Sequence, residues 1–320
     1  MKYKRFLALC LSLAILLSFS SCKINSDKKY SIYVITKSTN SNFWNDVESG
    51  VKAAATEYNV DVVFEGPSSE EDYMAQNKMI SEAVENKADA IVISAIDYDR
   101  SNETVEAAVM AGVKVVMIDS DISSVKKSTF IGTDNFAAGE MAAKSVIDKF
   151  GTEQNVNIGI INYAEGTDNG QLREDGFRSY LNSFPNIQIY DTVTADSNTT
   201  SAMASTIILL NNHPKTDVIV GFNEWMTLGI GKAVEQRNTE ESIYAIGFDN
   251  NVVSVGMLES GAMDVLIVQN SFAIGYLGIE SACKVLGGKK VSDKITTATT
   301  LITKENMFYE ENQKILFPFN

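Results

Sequence analysis

Polar and aromatic side chains follow the apolar runs of this sequence at the points where predicted strands would end. Phe43 and Trp44 stand side by side after the polar segment 36–42. The other strand ends carry acids, amides and hydroxyls, namely Asp119, Thr133, Asn223, Asp249 and Gln269. Because ligands of open parallel sheets bind outside the carboxyl ends of the strands, we expect these side chains to converge on one site.

This mixture of side chains is typical of a site for an uncharged polyol. A carboxylate accepts hydrogen bonds from two adjacent hydroxyls, an amide both donates and accepts, and a flat ring covers the C–H face of a sugar. Buried without a cation, Asp119 and Asp249 need polyol donors or neighbouring amides. Singly, Asp119 also fits a helix cap, Trp44 a core residue and Asn135 a turn residue. Their shared place at strand ends favours the site.

Catalytic motifs are missing from the sequence, apart from one pair of carboxylates. It contains no Gly-x-Ser-x-Gly, Gly-x-x-x-x-Gly-Lys-Ser/Thr or His-Glu-x-x-His segment. The single histidine, His213, has no Ser or Cys partner near it in sequence, so a catalytic triad is not expected. Asp119 and Asp249 leave a glycosidase acid–base pair open, because their separation in space decides that function.

Composition narrows the function further. The 320 residues are 45% hydrophobic and 21% charged, which is typical of a globular chain. With 41 acidic and 27 basic side chains the formal net charge is −14, so nucleic acid is not an expected partner. One histidine and three cysteines argue against a metal centre and a disulfide framework. We predict neither a metal site nor a cofactor, and binding rather than catalysis.

The N-terminus has the layout of an export signal followed by a tether. A basic start precedes the apolar run Phe6 to Phe19, which is shorter than the about 20 residues that a membrane span needs. Small residues before Cys22 resemble the lipobox of bacterial lipoproteins. We therefore predict a signal peptide over residues 1–21, lipidation of Cys22 and a tether over residues 22–29. Phe19 stands where that motif usually has Leu, which leaves cleavage without lipidation open.

From residue 30 onward, short apolar runs alternate with segments of helical period, which is the signature of βαβ units and parallel sheets. The predicted strands are 30–35, 60–65, 90–95, 114–119, 129–131, 157–162, 187–193, 217–222, 244–248 and 264–268. The predicted helices are 43–58, 70–86, 100–112, 135–150, 170–183, 200–212, 225–237, 251–260 and 271–287. A capping box, Ser68-x-x-Glu71, is expected to open the second helix. Two sheets of about five strands each indicate two domains.

Seven short segments stand in a recognisable order: Asn40 to Trp44, Ile118-Asp119, Ile131 to Asn135, Gly176-Phe177, Asn223-Glu224, Gly247 to Asp249, and Gln269. Together they resemble the pentose- and hexose-binding proteins of bacterial ABC transporters, whose type I periplasmic-binding-protein fold also forms the core of lactose-repressor-type regulators. The resemblance runs from about Tyr30 to Lys304. The repressor branch is disfavoured, because an export signal stands where a helix-turn-helix belongs.

The resemblance implies an α/β fold class of two doubly wound parallel-sheet lobes. Three crossovers would join the lobes, near residues 133–134, 269–270 and 298–299. Lobe one would comprise residues 30–133 plus 270–298, and lobe two residues 134–269 plus 299–320.

The resemblance also implies a role for each site residue. Phe43 and Trp44 would stack on the ligand. Hydrogen bonds to the ligand would come from a larger set: Ser41, Ser94, Asp119, Thr133, Asn223, Asp249 and Gln269. Phe248 would pack beside these residues. Members of the family often have one arginine after the fourth-strand Asp and another before the Gly-Phe pair. Ser120 and Gln171 stand in those places, so Gln171 is the expected contact there, unless Arg173 or Lys37 reaches in.

The implied function is capture of a pentose- or hexose-like sugar and its release, chemically unaltered, to an ABC permease. The lobes would hinge about the crossovers, and the permease would recognise the closed form. The protein would be a monomer outside the cytoplasm, lipid-anchored at a Gram-positive surface or in a periplasm. Two alternatives stay open: a sugar sensor of the same fold that signals to a membrane histidine kinase, and a glycosidase.

Overall fold

The computed structural model describes residues 29–163, 165–237 and 243–317. The predicted signal peptide, Cys22 and the tether as far as residue 28 lie outside these residues. Among the helices in the described part of the chain, none has both the length and the apolar character to span a membrane.

Two sheets carry the fold, and the first belongs to the N-terminal lobe, called lobe one. All of its strand pairs are parallel. Its six strands lie in the order β12 (Lys294–Thr297), β5 (Phe130–Thr133), β4 (Lys114–Ile118), β3 (Ala90–Ile93), β1 (Ser31–Ile35) and β2 (Asp61–Glu65).

The second sheet forms lobe two and is parallel except at one edge, where β13 runs antiparallel to β11. Its order is β13 (Thr299–Thr303), β11 (Val265–Gln269), β10 (Tyr244–Phe248), β9 (Val218–Gly221), β6 (Val156–Tyr163) and β7 (Ile187–Ile189), and β8 (Val193–Ala195) also pairs with β6. The predicted α/β class is confirmed.

Ten helices within the described residues cover the sheets. They are α1 (Asn42–Tyr58), α2 (Tyr73–Glu85), α3 (Asn102–Met110), α4 (Asn135–Phe150), α5 (Asp168–Leu181), α6 (Thr199–Asn212), α7 (Glu224–Arg237), α8 (Val252–Ser260), α9 (Ser271–Leu286) and α10 (Glu310–Leu316). The predicted capping box is wrong. Helix α2 begins after Asp72, whose carboxylate accepts from the N–H of Ala75, so a carboxylate nearer the helix takes the capping role.

The chain passes between the sheets three times. It leaves lobe one between β5 and α4, returns between β11 and α9, and crosses again between β12 and β13. Helix α9 packs on α1 in lobe one, and α4 packs on α5 in lobe two. Each lobe is therefore built from distant parts of the chain.

The cores explain why the central strands are apolar on both faces. Strands β3, β5, β9 and β11 are buried along their whole length. Lobe one has a separate apolar cluster on each side of its sheet, and lobe two has one large cluster. Burial on both faces is the usual condition of parallel sheets, so the polar residues are left to the strand ends.

Each lobe contains a helix pair that packs backbone against backbone at glycine. A Cβ on Gly50 of α1 would lie 2.0 Å from the carbonyl oxygen of Phe272 in α9, and one on Gly275 of α9 would lie 2.1 Å from that of Val47. In lobe two, a Cβ on Gly139 of α4 would lie 2.0 Å from the carbonyl oxygen of Arg173. Only glycine permits these contacts.

We predict that Gly275→Ala destabilises the protein by about 1–3 kcal/mol, because the new methyl group meets backbone that has nowhere to move. Gly256→Ala in α8 is the matched control, since a Cβ there meets nothing within 4 Å. Removing a helical glycine should stabilise that variant by about 0.5–1 kcal/mol. Urea unfolding followed by circular dichroism measures both. Equal shifts in the two variants would contradict the packing argument.

Candidate functional site

A cavity lies between the lobes at the carboxyl ends of the strands. Its lining residues come from both lobes: Lys37, Ser41, Phe43, Trp44, Glu70, Asp119, Tyr163, Asn169, Arg173, Asn223, Glu224, Trp225, Asp249 and Gln269.

The lining includes seven of the site residues predicted from the sequence: Ser41, Phe43, Trp44, Asp119, Asn223, Asp249 and Gln269. Ser94, Thr133 and Phe248 lie behind the lining and support it. Gln171 does not belong to the site.

Asp119 and Asp249 hold equivalent places in the two lobes. Asp119 directly follows β4 and Asp249 directly follows β10. Both adopt the left-handed conformation, with φ of 57° and 66°, which is uncommon outside glycine and best tolerated by Asp and Asn. Such strain clusters at functional sites, where surrounding contacts maintain it.

The Asp119 carboxylate is held by partners from both lobes. Ser94 Oγ donates to Oδ2 at 2.8 Å, and Asn169 Nδ2 of α5 donates to Oδ1 at 3.1 Å. The ammonium of Lys37 lies 3.5 Å from Oδ2 and donates to Asn169 Oδ1 at 3.1 Å. Ser94 thus orients the acid, while Lys37 supplies a buried positive charge beside it.

The Asp249 carboxylate is held mainly by groups of lobe two. It accepts from Gln269 Nε2 at 2.6 Å and from the backbone N–H of Glu224 at 3.1 Å. Thr133 Oγ1 donates to Gln269 Oε1 at 2.7 Å, so Thr133 fixes the amide that faces the acid. Burial raises the pKa of Asp249 from its ordinary value to about 6, and the positive charge of Arg173 opposes that rise.

Arg173 is the largest fully buried side chain of the described residues, and one of its guanidinium nitrogens has no partner among them. Its Nε donates to Asn135 Oδ1 at 2.9 Å and its Nη1 to the carbonyl oxygen of Phe222 at 2.6 Å. The guanidinium lies over the ring of Phe248, 4.9 Å from the centroid. Nη2 has no partner among the described residues. A buried guanidinium that lines a cavity with one unpartnered nitrogen is arranged to receive an oxygen atom.

The assignment of Gln171 to the site is wrong. Its side chain is exposed on α5 and donates to Asp175 Oδ1 at 2.8 Å. Two residues along an α-helix correspond to a rotation of about 200°, so Gln171 points away from the cavity that Arg173 enters. Arg173 and Lys37 both line the site.

The aromatic wall has a polar base that sequence reasoning missed. Phe43 and Trp44 pack edge to face with their centroids 4.9 Å apart. Trp44 Nε1 donates to Glu70 Oε1 at 2.9 Å, and Ser38 Oγ donates to the same oxygen at 3.2 Å. Burial raises the pKa of Glu70, while the charge of Lys37 opposes the rise. A buried Trp needs an acceptor for its N–H, and that requirement was the available signal for Glu70.

Other chemistry has little support around the cavity. Within residues 29–163, 165–237 and 243–317, no group of three His, Cys, Asp or Glu side chains is arranged to hold a metal ion. His213 follows α6 and stacks on Tyr190 with centroids 3.9 Å apart, outside the cavity lining. The described part of the chain therefore places no histidine base beside Asp119 or Asp249.

Comparison with known proteins identifies the family. Residues 32–290 match the model of the periplasmic binding protein domain, and the chain belongs to this family. It is 26% identical to the ribose import binding protein RbsB of Bacillus subtilis over 278 residues, which cover 87% of this chain and 88% of that protein.

Two solved structures have closely similar folds. A carbohydrate transporter solute-binding protein from Agrobacterium radiobacter, in complex with D-arabinose, aligns with a TM-score of 0.87 and 28% identity over 91% of this chain and 99% of that one. An ABC transporter solute-binding protein from Agrobacterium vitis with bound D-fucose aligns with a TM-score of 0.85 and 32% identity, covering 89% and 99% of the two chains.

The raised pKa of Asp249 predicts a pH-dependent stability. Because the folded state binds this proton more tightly than the unfolded chain, the stabilising contribution is complete below pH 4 and is lost as the pH rises through 6. The Asp249→Asn variant has no group that titrates at this position, and Asn tolerates the left-handed backbone as Asp does. Between pH 5 and pH 7.5, the unfolding free energy of wild type should fall by about 1 kcal/mol relative to this variant. Urea titrations at both pH values measure the difference; parallel profiles would contradict the assignment.

Proposed function

We propose that this protein is the extracytoplasmic binding component of an ABC importer and captures one uncharged monosaccharide whole between its two lobes. One observation carries the proposal. Asp119 and Asp249, each in a left-handed turn, line the same cavity as the rings of Phe43 and Trp44 and the guanidinium of Arg173, whose Nη2 has no partner among the described residues.

The charges in the cavity favour a neutral ligand. Four carboxylates, those of Glu70, Asp119, Glu224 and Asp249, face only two cations, Lys37 and Arg173. An anionic sugar would add to this excess of negative charge, whereas hydroxyl groups donate to carboxylates at no cost in charge.

The ligands of similar proteins support a single sugar ring. The relatives that resemble this chain are named for ribose import or contain D-arabinose or D-fucose, all of which are monosaccharides. Arg173 Nη2 and Lys37 Nζ would donate to ring or hydroxyl oxygens, and the aromatic pair would cover the C–H face.

Binding and release would follow from the three chain crossings. A sugar held by Asp119 on lobe one recruits the residues of lobe two, and the closed form is presented to a permease. No bond needs to break in this cycle. A glycosidase would also use carboxyl groups with raised pKa values, as Asp249 and Glu70 have, so a test must include a search for product.

The N-terminal segment would anchor the protein. In this proposal residues 1–21 direct export, Cys22 carries the lipid, and residues 22–29 tether a monomeric domain to the membrane beside its permease. The sensor alternative differs only in the membrane partner.

The direct test screens the domain from residue 23 onward against a panel of sugars, polyols, amino acids and short peptides by thermal shift. At hundredfold excess over Kd, a bound monosaccharide should raise Tm by roughly 5 °C, because only the folded state binds it. Calorimetry should give one site, and NMR of the recovered sugar should show no product. Stabilisation by an amino acid or peptide instead of sugars, or hydrolysis of a glycoside, would refute the proposal.

A matched pair of variants locates the binding. Asp119→Asn should reduce sugar affinity about 100-fold, since it removes a charged acceptor from two hydroxyls. Asp121→Asn is the control, because Asp121 lies two residues away, pairs with Lys127 at 3.0 Å and does not line the cavity. Its affinity should match wild type.

Lipidation has its own test. The full-length chain expressed in a bacterium should fractionate with membranes and give an N-terminal peptide whose mass includes acyl chains on Cys22. Cys22→Ser should be released into the soluble fraction, because a single protein–lipid linkage is its only anchor in this proposal. Membrane association that survives the substitution would contradict it.

A further inference from the structure

Glu224 of lobe two contacts the helix of lobe one that carries the aromatic wall. It is the first residue of α7 and is 4% exposed. Its carboxylate accepts from the backbone N–H groups of Asn42 at 3.3 Å and Phe43 at 3.1 Å, and from Asn42 Nδ2 at 3.2 Å. All three donors belong to the first turn of α1.

Helix α1 cannot satisfy its own N-terminus. The first four N–H groups of a helix have no partner within it. Ser41 supplies two acceptors, its Oγ to the N–H of Trp44 and its carbonyl oxygen to that of Asn45. Within the described residues, the N–H groups of Asn42 and Phe43 are paired only with Glu224, and the first turn of α1 contains no acidic residue. The opposite lobe therefore supplies the negative charge that a helix N-terminus favours.

The same residue is tied to the ligand cavity. The backbone N–H of Glu224 donates to Asp249 Oδ2 at 3.1 Å, and Asn251 Nδ2 donates to Glu224 Oε1 at 2.7 Å. Lobe two thus fixes Glu224 through a site carboxylate and through the residue that caps α8. Phe43, on the other side of the contact, bears a ring of the aromatic wall.

We propose that Glu224 is a positioning residue that latches the closed cleft, because it completes the N-terminal cap of α1 only when the lobes meet. The proposal rests on the proposed function. Glu224 also lines the cavity, but its Oε1 already accepts from Asn42 and Asn251 and its Oε2 from Phe43. In this role it therefore sets how tightly any sugar is held and does not choose among sugars. When the lobes separate, water replaces the carboxylate at α1, and this contribution to closure is lost.

A latch changes affinities by a common factor. If a ligand is held only by the closed form, its apparent affinity scales with the population of that form. Loss of a buried, charged acceptor from two N–H groups should lower affinity ten- to 100-fold for every sugar alike. A residue in direct contact with the ligand would change different sugars by different factors.

The test uses Glu224→Gln and a matched control, Glu71→Gln. Glu71 Oε1 also accepts a backbone N–H across the lobes, that of Ser197 at 2.7 Å, but this pair is exposed to solvent. Calorimetry with D-ribose, D-arabinose and D-fucose measures the affinities, and small-angle X-ray scattering measures the radius of gyration with and without sugar. Glu224→Gln should lower the affinity for every sugar that binds by the same factor, and it should enlarge the radius of gyration. Glu71→Gln should change affinity less than twofold, because water screens exposed pairs.

Two results would overturn the latch: affinities and scattering that match wild type, or losses that differ tenfold between sugars. The proposed function fails separately, if none of the sugars binds the wild-type protein. In that case the scattering of the ligand-free proteins still tests the latch, which requires Glu224→Gln to be less compact than Glu71→Gln. Equal compactness of the two variants would then overturn it.

Discussion

Burial of four carboxylates and two cations around one small cavity is the constraint on which the rest of this molecule depends. An ionised carboxylate away from water is costly unless it is paired or hydrogen-bonded. Lys37 and Asn169 satisfy Asp119, and Gln269 and the N–H of Glu224 satisfy Asp249. Arg173 also lines the cavity, and its Nη2 has no partner among the described residues. In the proposed function, a neutral molecule rich in hydroxyls would complete the arrangement.

The two lobes solve this problem with the same local structures. Each ends a buried strand with an aspartate in the left-handed conformation, at Asp119 and at Asp249. Each supports its sheet with a helix pair that meets at glycine, at Gly50 in one lobe and Gly139 in the other. Because the chain crosses between the sheets three times, the two acids belong to separate lobes. In the proposed hinge motion, closure would bring them together, and contacts such as that of Glu224 with α1 would become part of the binding energy.

Much of this architecture could be predicted from the sequence, because the period of apolar residues sets the elements of a parallel sheet. The strands β12 and β13 and the helix α10 were missed. The two strands, Lys294–Thr297 and Thr299–Thr303, are short and rich in threonine. Side-chain direction was harder to predict. Gln171 and Arg173 are two residues apart on one helix, and only the helix rotation decides which enters the cavity. Glu70, Tyr163 and Asn169 lie outside the recognised segments, and only their contacts across the fold reveal them.

The most direct measurement of the central claim is a crystal structure of the mature domain grown with the sugar that stabilises it most. Our account predicts one intact pyranose or furanose ring between the lobes, with hydroxyl groups on the carboxylates of Asp119 and Asp249, an oxygen on Arg173 Nη2 and a C–H face against Phe43 or Trp44. A sugar bound elsewhere, or a cleft in which either aspartate turns away from the ligand, would contradict it.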